Sequence, residues 1–69
     1  MVNMSAESRE FLTKNLPGAL DKDKARDILD LLYDLIDEKG FAPPHYYDYN
    51  DFGREAQRVY DDIYGGNLT

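Results

Sequence analysis

Three aspartates, Asp30, Asp34 and Asp37, follow one another at intervals of four and three residues. On a helix, at about 100° per residue, that spacing lines their carboxylates along one face, one for each turn of roughly 5 Å. Such a row can hold a hard cation loosely, or it can steer a positively charged partner. The cation reading lacks ligands from a second element to complete an oxygen shell, so no metal is expected. The steering reading makes the row a docking surface for a basic protein, with mimicry of a nucleic acid as one form of it. The plainer alternative is a solvated outer face that keeps the chain soluble.

Six tyrosines supply the other chemistry: Tyr33, Tyr46, Tyr47, Tyr49, Tyr60 and Tyr64. Tyrosine buries a large flat area and keeps one polar tip, which is why it is enriched in contact hot spots. Tyr46, Tyr47 and Tyr64 join Asp30, Asp34 and Asp37 as the candidate partner-binding residues. Tyr49 and Tyr60 are expected to serve the core or its rim.

The other reactive residue types are sparse. Asp48 to Gly53 resembles half of a calcium loop, with Asp48 at position 1, Asn50 at 3 and Gly53 at 6. Phe52 then occupies position 5, where oxygen is needed, and Val59 stands at position 12 in place of a bidentate glutamate. A helix start explains these residues better. His45 is the single histidine, with no identifiable partner for catalysis or metal binding. There is no cysteine, no glycine-rich phosphate loop and no His-Glu-x-x-His motif. Ser5 and Ser8 sit where a helix begins. The clustered carboxylates belong to a solvent face, where nothing tunes them for acid–base work. Neither enzyme activity nor a cofactor is expected.

These side chains need elements to hold them. From Asp21 to Lys39 a helix places Ala25, Ile28, Leu29, Leu32, Leu35 and Ile36 on one side, and Asp23, Asp27, Asp30, Asp34 and Asp37 on the other. Leu31 and Tyr33 flank the apolar stripe. The pattern never alternates with period two, which excludes a strand. Asp21 is the expected N-cap, Leu20 a staple onto Ala25, and Gly40 the left-handed residue that ends the helix before Pro43 and Pro44. The aspartate row opposes the helix, since like charges at i,i+3 and i,i+4 cost roughly 0.2–0.5 kcal/mol per pair. Arg26 is spaced to reach Asp23 and Asp30, whereas Asp34 has no basic residue three or four positions away.

A shorter helix precedes this one. Ser5 caps it, Glu7 suits the positive end of its dipole, Phe11, Leu12 and Leu16 give it an apolar face, and Pro17-Gly18 stops it. Too short to persist alone, it is expected to pack on the central helix. After Gly40, residues 41–49 crowd rings and prolines into an extended loop with no second strand to pair with. A third helix follows, with Asp48 the preferred N-cap over Asn50 and Tyr47 stapled onto Phe52. Phe52, Ala56, Val59, Tyr60 and Ile63 share its apolar face. Arg54, Glu55, Arg58, Asp61 and Asp62 share the other, where Arg58 can pair with Glu55, Asp61 or Asp62. Gly65-Gly66 is its expected end.

The expected fold is therefore all-α: a small three-helix bundle with helices at about 5–16, 21–39 and 48–64, in one domain over residues 1–69 whose residues 1–4 and 65–69 fray. A chain of 69 residues buries only about 60% of its unfolded surface. Without cysteine, good helix packing or a second copy must supply the missing stability. The net charge of −6 argues against direct nucleic-acid binding, and a third helix mixing Arg54 and Arg58 with so many acids is a poor groove reader. Residues 21–40 alone carry seven acids against four bases. No secretion signal is visible and no apolar run nears the roughly 18 residues that span a membrane, so a cytoplasmic location is expected. The function this supports is a small acidic protein–protein interaction or regulatory module. Its alternative is a homo-oligomeric unit, a homodimer for instance, in which a second copy covers the apolar face near Leu31 and Tyr33.

Overall fold

The structure, a computed structural model, describes residues 2–43 and 48–68. Among the described residues there are three helices, α1 (Ala6–Asn15), α2 (Ala25–Lys39) and α3 (Asp51–Asn67), with a 3-10 turn at Pro17–Asp21. This is the expected all-α three-helix fold.

Ser5 caps α1 as its residue type suggests. Its backbone is extended and its hydroxyl oxygen accepts the Ser8 N–H at 3.1 Å. The helix closes where Leu16 N–H donates to the Leu12 carbonyl, because Pro17 has no N–H with which to continue. Pro17 starts the 3-10 turn instead, at a position where its missing N–H has no partner to lose. That turn corrects the expected start of the central helix. Asp21 is the last residue of the turn, not an N-cap, and α2 begins at Ala25. Lys24, extended and without a side-chain cap, precedes it. Leu20 packs half-buried against the core rather than stapling a helix start.

The core follows the apolar stripes. Leu12, Ile28, Leu32 and Ile63 are fully buried, joined by Phe11, Leu29, Leu35, Ile36, Ala56 and Val59. Burying one such aliphatic side chain is worth roughly 1.5–3 kcal/mol. Phe11 and Phe52 add a tilted ring pair with centroids 5.5 Å apart. Backbone approach differs between the helix pairs. The backbone of α1 lies against α3 and the 3-10 turn, and that of α2 against α3 and the same turn. The third helix is thus the element whose backbone both others approach, while Phe11 and Leu12 of α1 join Ile28 and Leu32 of α2 in one buried core.

Val2, Asn3 and Asn67, all in stretches expected to fray, are tied down. Val2 is buried in the core. Asn3 N–H donates to Asn67 Oδ1 at 2.9 Å, and Asn67 Nδ2 donates back to the Asn3 carbonyl at 2.7 Å. The same Nδ2 donates to the Ile63 carbonyl, so α3 runs through Gly65-Gly66 to Asn67 instead of ending at the glycines. Here a contact from the far end of the chain outweighs the low helix propensity of glycine. Among the described residues no helix is long and apolar enough to cross a membrane.

Candidate functional site

The candidate site depends on the corner where α2 hands over to α3. Asn50, not Asp48, caps α3, its Oδ1 accepting Gly53 N–H at 2.7 Å. Its Nδ2 donates to the Lys39 carbonyl at 2.8 Å, so one side chain serves the start of one helix and the end of another. Asp48 lacks that reach because it lies on the far side of a short ladder. Asn50 N–H donates to the Gly40 carbonyl at 2.9 Å, and Ala42 N–H to the Asp48 carbonyl at 2.8 Å. These bonds form an antiparallel bridge between Phe41 and Tyr49, so the loop does pair, with its own return. Gly40 accordingly ends α2 with φ near −91°, in the right-handed region, not as a left-handed cap. Gly53 lies directly on Gly40. A Cβ there would run into the Gly40 carbonyl oxygen, with the Gly40 carbonyl carbon 2.8 Å away and Cα 2.9 Å away. Only a residue without a side chain permits this approach.

The corner sets two rings side by side. Phe41 and Tyr49 stack with centroids 5.2 Å apart and planes 26° apart. They form one end of a groove of about 280 Å³ between α2 and α3, lined further by Tyr33, Ile36, Asp37 and Tyr60. Tyr49 Oη donates to Gln57 Oε1 at 3.1 Å, and Gln57 Nε2 donates to Asp61 Oδ1 at 3.0 Å, which fixes the Tyr49 ring from below.

Asp30, Asp34 and Asp37 are all exposed on α2. Only Asp37 lines the groove. Among the described residues the one ion pair is Arg54 with Asp51 at 3.5 Å, both well exposed. The pairings expected of Arg26 with Asp23 or Asp30, and of Arg58 with Glu55, Asp61 or Asp62, are not made. Tyr64 is 46% exposed on α3 and does not line the groove. His45, Tyr46 and Tyr47 lie outside the described residues, as does the staple expected of Tyr47. The groove instead recruits Tyr33, Phe41, Tyr49 and Tyr60, which sequence reasoning placed beside the core or in the loop. The available signal was the Tyr33–Asp37 spacing, four residues on one helix, which puts a ring beside a carboxylate.

A second cleft is larger, about 530 Å³, between the start of α1 and the polar side of α3. It mixes Arg54 and Arg58 with Glu7, Asp51, Glu55 and Asp62. Its central carboxylate is already engaged. Asp62 Oδ2 accepts Ser5 N–H at 2.9 Å and the Ser8 hydroxyl at 2.7 Å. These bonds, the backbone one first, hold the Asp62 carboxyl below the usual carboxylate value near 3.8, against a smaller opposing effect of burial. In a capping box the residue three positions into the helix reaches back to the cap's N–H. Here that residue is Ser8, too short for the task, and Asp62 from α3 does it. Ser8 is consequently buried, 3% exposed. Asp62 belongs to the architecture, and the groove beside Asp37 is the stronger functional candidate.

Compared with known protein families, curated proteins and solved structures, the chain matches none of them.

Proposed function

We propose that this chain is a small, acidic, non-catalytic interaction module, cytoplasmic in location, that docks a basic surface of another protein. The observation that carries this reading is the meeting of the aspartate row with the ring-lined groove. Asp30 and Asp34 run along α2 toward Asp37, which stands beside Tyr33, Phe41, Tyr49 and Tyr60. Exposed carboxylates that make no ion pair among the described residues raise the negative potential on that side and speed encounter with a positive partner. Rings in a groove supply the desolvated area that turns encounter into a lasting contact.

The homo-oligomer reading has less support. Leu31, which a second copy would cover, packs against the chain's own core, leaving Tyr33, 66% exposed, as the main uncovered ring on that edge.

Affinity capture with wild type and the Asp30→Asn/Asp34→Asn/Asp37→Asn variant, each at low and high salt, tests the proposal. A protein with a basic face, held by wild type at low salt and lost in the variant, is the expected result. Equal capture by the variant would remove the charge component. Recovery of the chain alone, with a mass that doubles at high concentration, would favour the second copy.

A further inference from the structure

We propose that the groove between α2 and α3 receives one arginine side chain of the basic partner, its guanidinium laid against the rings and paired with the Asp37 carboxylate. The inference rests on the docking role proposed above and specifies what the groove selects.

The groove's polarity points to a cation. Asp37 is the one charged residue lining it, and among the described residues it has no hydrogen bond or ion pair. Gln57, the lining amide, is already committed at both ends, accepting from Tyr49 and donating to Asp61. Four aromatic residues make up most of the remaining wall. Ring faces carry negative potential, so they and the carboxylate attract the same sign of charge. An anion would be repelled by both. A neutral apolar ligand would strip water from Asp37 without replacing its hydrogen bonds, which is unfavourable.

The shape of the cation follows from the same lining. A guanidinium is planar and weakly hydrated, and it can stack on a ring while its edge pairs a carboxylate. A lysine ammonium is a compact, strongly hydrated point charge and gains less from a stacked wall. About 280 Å³ lies just under the range of drug-sized ligand sites, enough for one long side chain and too little for a folded element. Asp34, one turn back along α2, adds charge at the approach without lining the groove.

Proton–nitrogen NMR titrations with the amides of N-acetyl-arginine, N-acetyl-lysine and N-acetyl-citrulline, at low salt, test this. Arginine is expected to shift the amides of Tyr33, Asp37, Phe41 and Tyr49. Lysine should bind the same place several-fold more weakly, and citrulline, of the same shape but uncharged, should shift nothing. Asp37→Asn should weaken arginine binding by about tenfold, and Asp30→Asn by no more than about twofold. Both residues are exposed, so the variants keep the fold, which their spectra verify. Equal shifts by citrulline would overturn the pairing with Asp37. Shifts confined to the amides around Asp30 and Asp34 would overturn the groove while leaving an acidic docking row intact. An unperturbed spectrum would overturn the arginine site. The docking role stands or falls separately, on the capture of a partner by the charge-row variant.

Discussion

Two aspartates on neighbouring helices meet opposite fates. Asp62 of α3 is held by the Ser5 N–H and the Ser8 hydroxyl, and through them it fastens α1 to α3. Asp37 of α2 sits among rings with no partner among the described residues. The first carboxylate is satisfied, and its removal would take the charged acceptor from the Ser8 hydroxyl, leaving it the Ser5 Oγ at 3.1 Å, and would hand the exposed Ser5 N–H to water. The second is solvated, and its removal strands nothing. A carboxylate whose bonds are complete stabilises the fold and has little left to offer a partner. One left open beside apolar surface is available for binding. Density of charge is therefore a poor guide to function here, whereas the state of each carboxylate's hydrogen bonds separates structural from available.

The largest expected effect falls on the corner that builds the groove. Gly53→Ala pushes a methyl into the Gly40 backbone, and such overpacking should cost about 3 kcal/mol in urea unfolding. A loss under about 0.5 kcal/mol would mean that α2 and α3 can separate freely, and the groove would lose its fixed wall. Asn50→Ala should cost about 1–2 kcal/mol, because it removes a cap and a bond to the Lys39 carbonyl together. Asn50→Asp sharpens this, since it keeps the acceptor for Gly53 N–H and loses only the donor, so roughly half the loss should remain.

The third prediction concerns acid. The Asp62 pKa is lowered in the folded chain, so the unfolded chain binds more protons near and below the ordinary value of 3.8. The stability that Asp62 contributes is whole above that value and is lost as pH falls through the lowered one. In unfolding curves recorded down the acid range, wild type and Asp62→Ala should therefore converge. A constant gap across that range would show that the bonds to Ser5 and Ser8 are not made to a carboxylate. The smallest effect is on the open row. Asp30→Asn should stabilise by a few tenths of a kcal/mol, through relief of repulsion with Asp27 and Asp34.

The helices were legible where their signals are local. Apolar periodicity set the buried face of α2 residue for residue, and Ser5 read correctly as a cap. What the sequence hid lies in contacts distant along the chain. Ser8 gives no local sign that Asp62 reaches it from 54 residues away. Gly65-Gly66 carries a stop signal that Asn3 overrides by bonding Asn67. Pro17-Gly18 marked the end of α1, but the tight turn that follows has too few residues to show a period, so α2 seemed to start four residues early. At the site, the aspartate row was visible and its groove was not. The groove needs Phe41 brought onto Tyr49 across the loop, and only the Gly40–Gly53 approach and the Asn50 bonds do that. A glycine in the first turn of a helix, where it weakens the helix, was the one local hint of a close approach.

Urea unfolding of Asp62→Ala and Asp37→Ala beside wild type, at neutral pH, tests the division between the two carboxylates most directly. The expected result is a loss of about 2 kcal/mol for Asp62→Ala, from the two bonds to a charged acceptor given up, and a change within about 0.5 kcal/mol for Asp37→Ala. Equal losses in the two variants would contradict it, because Asp37 would then be fastening the fold and would not be free to bind.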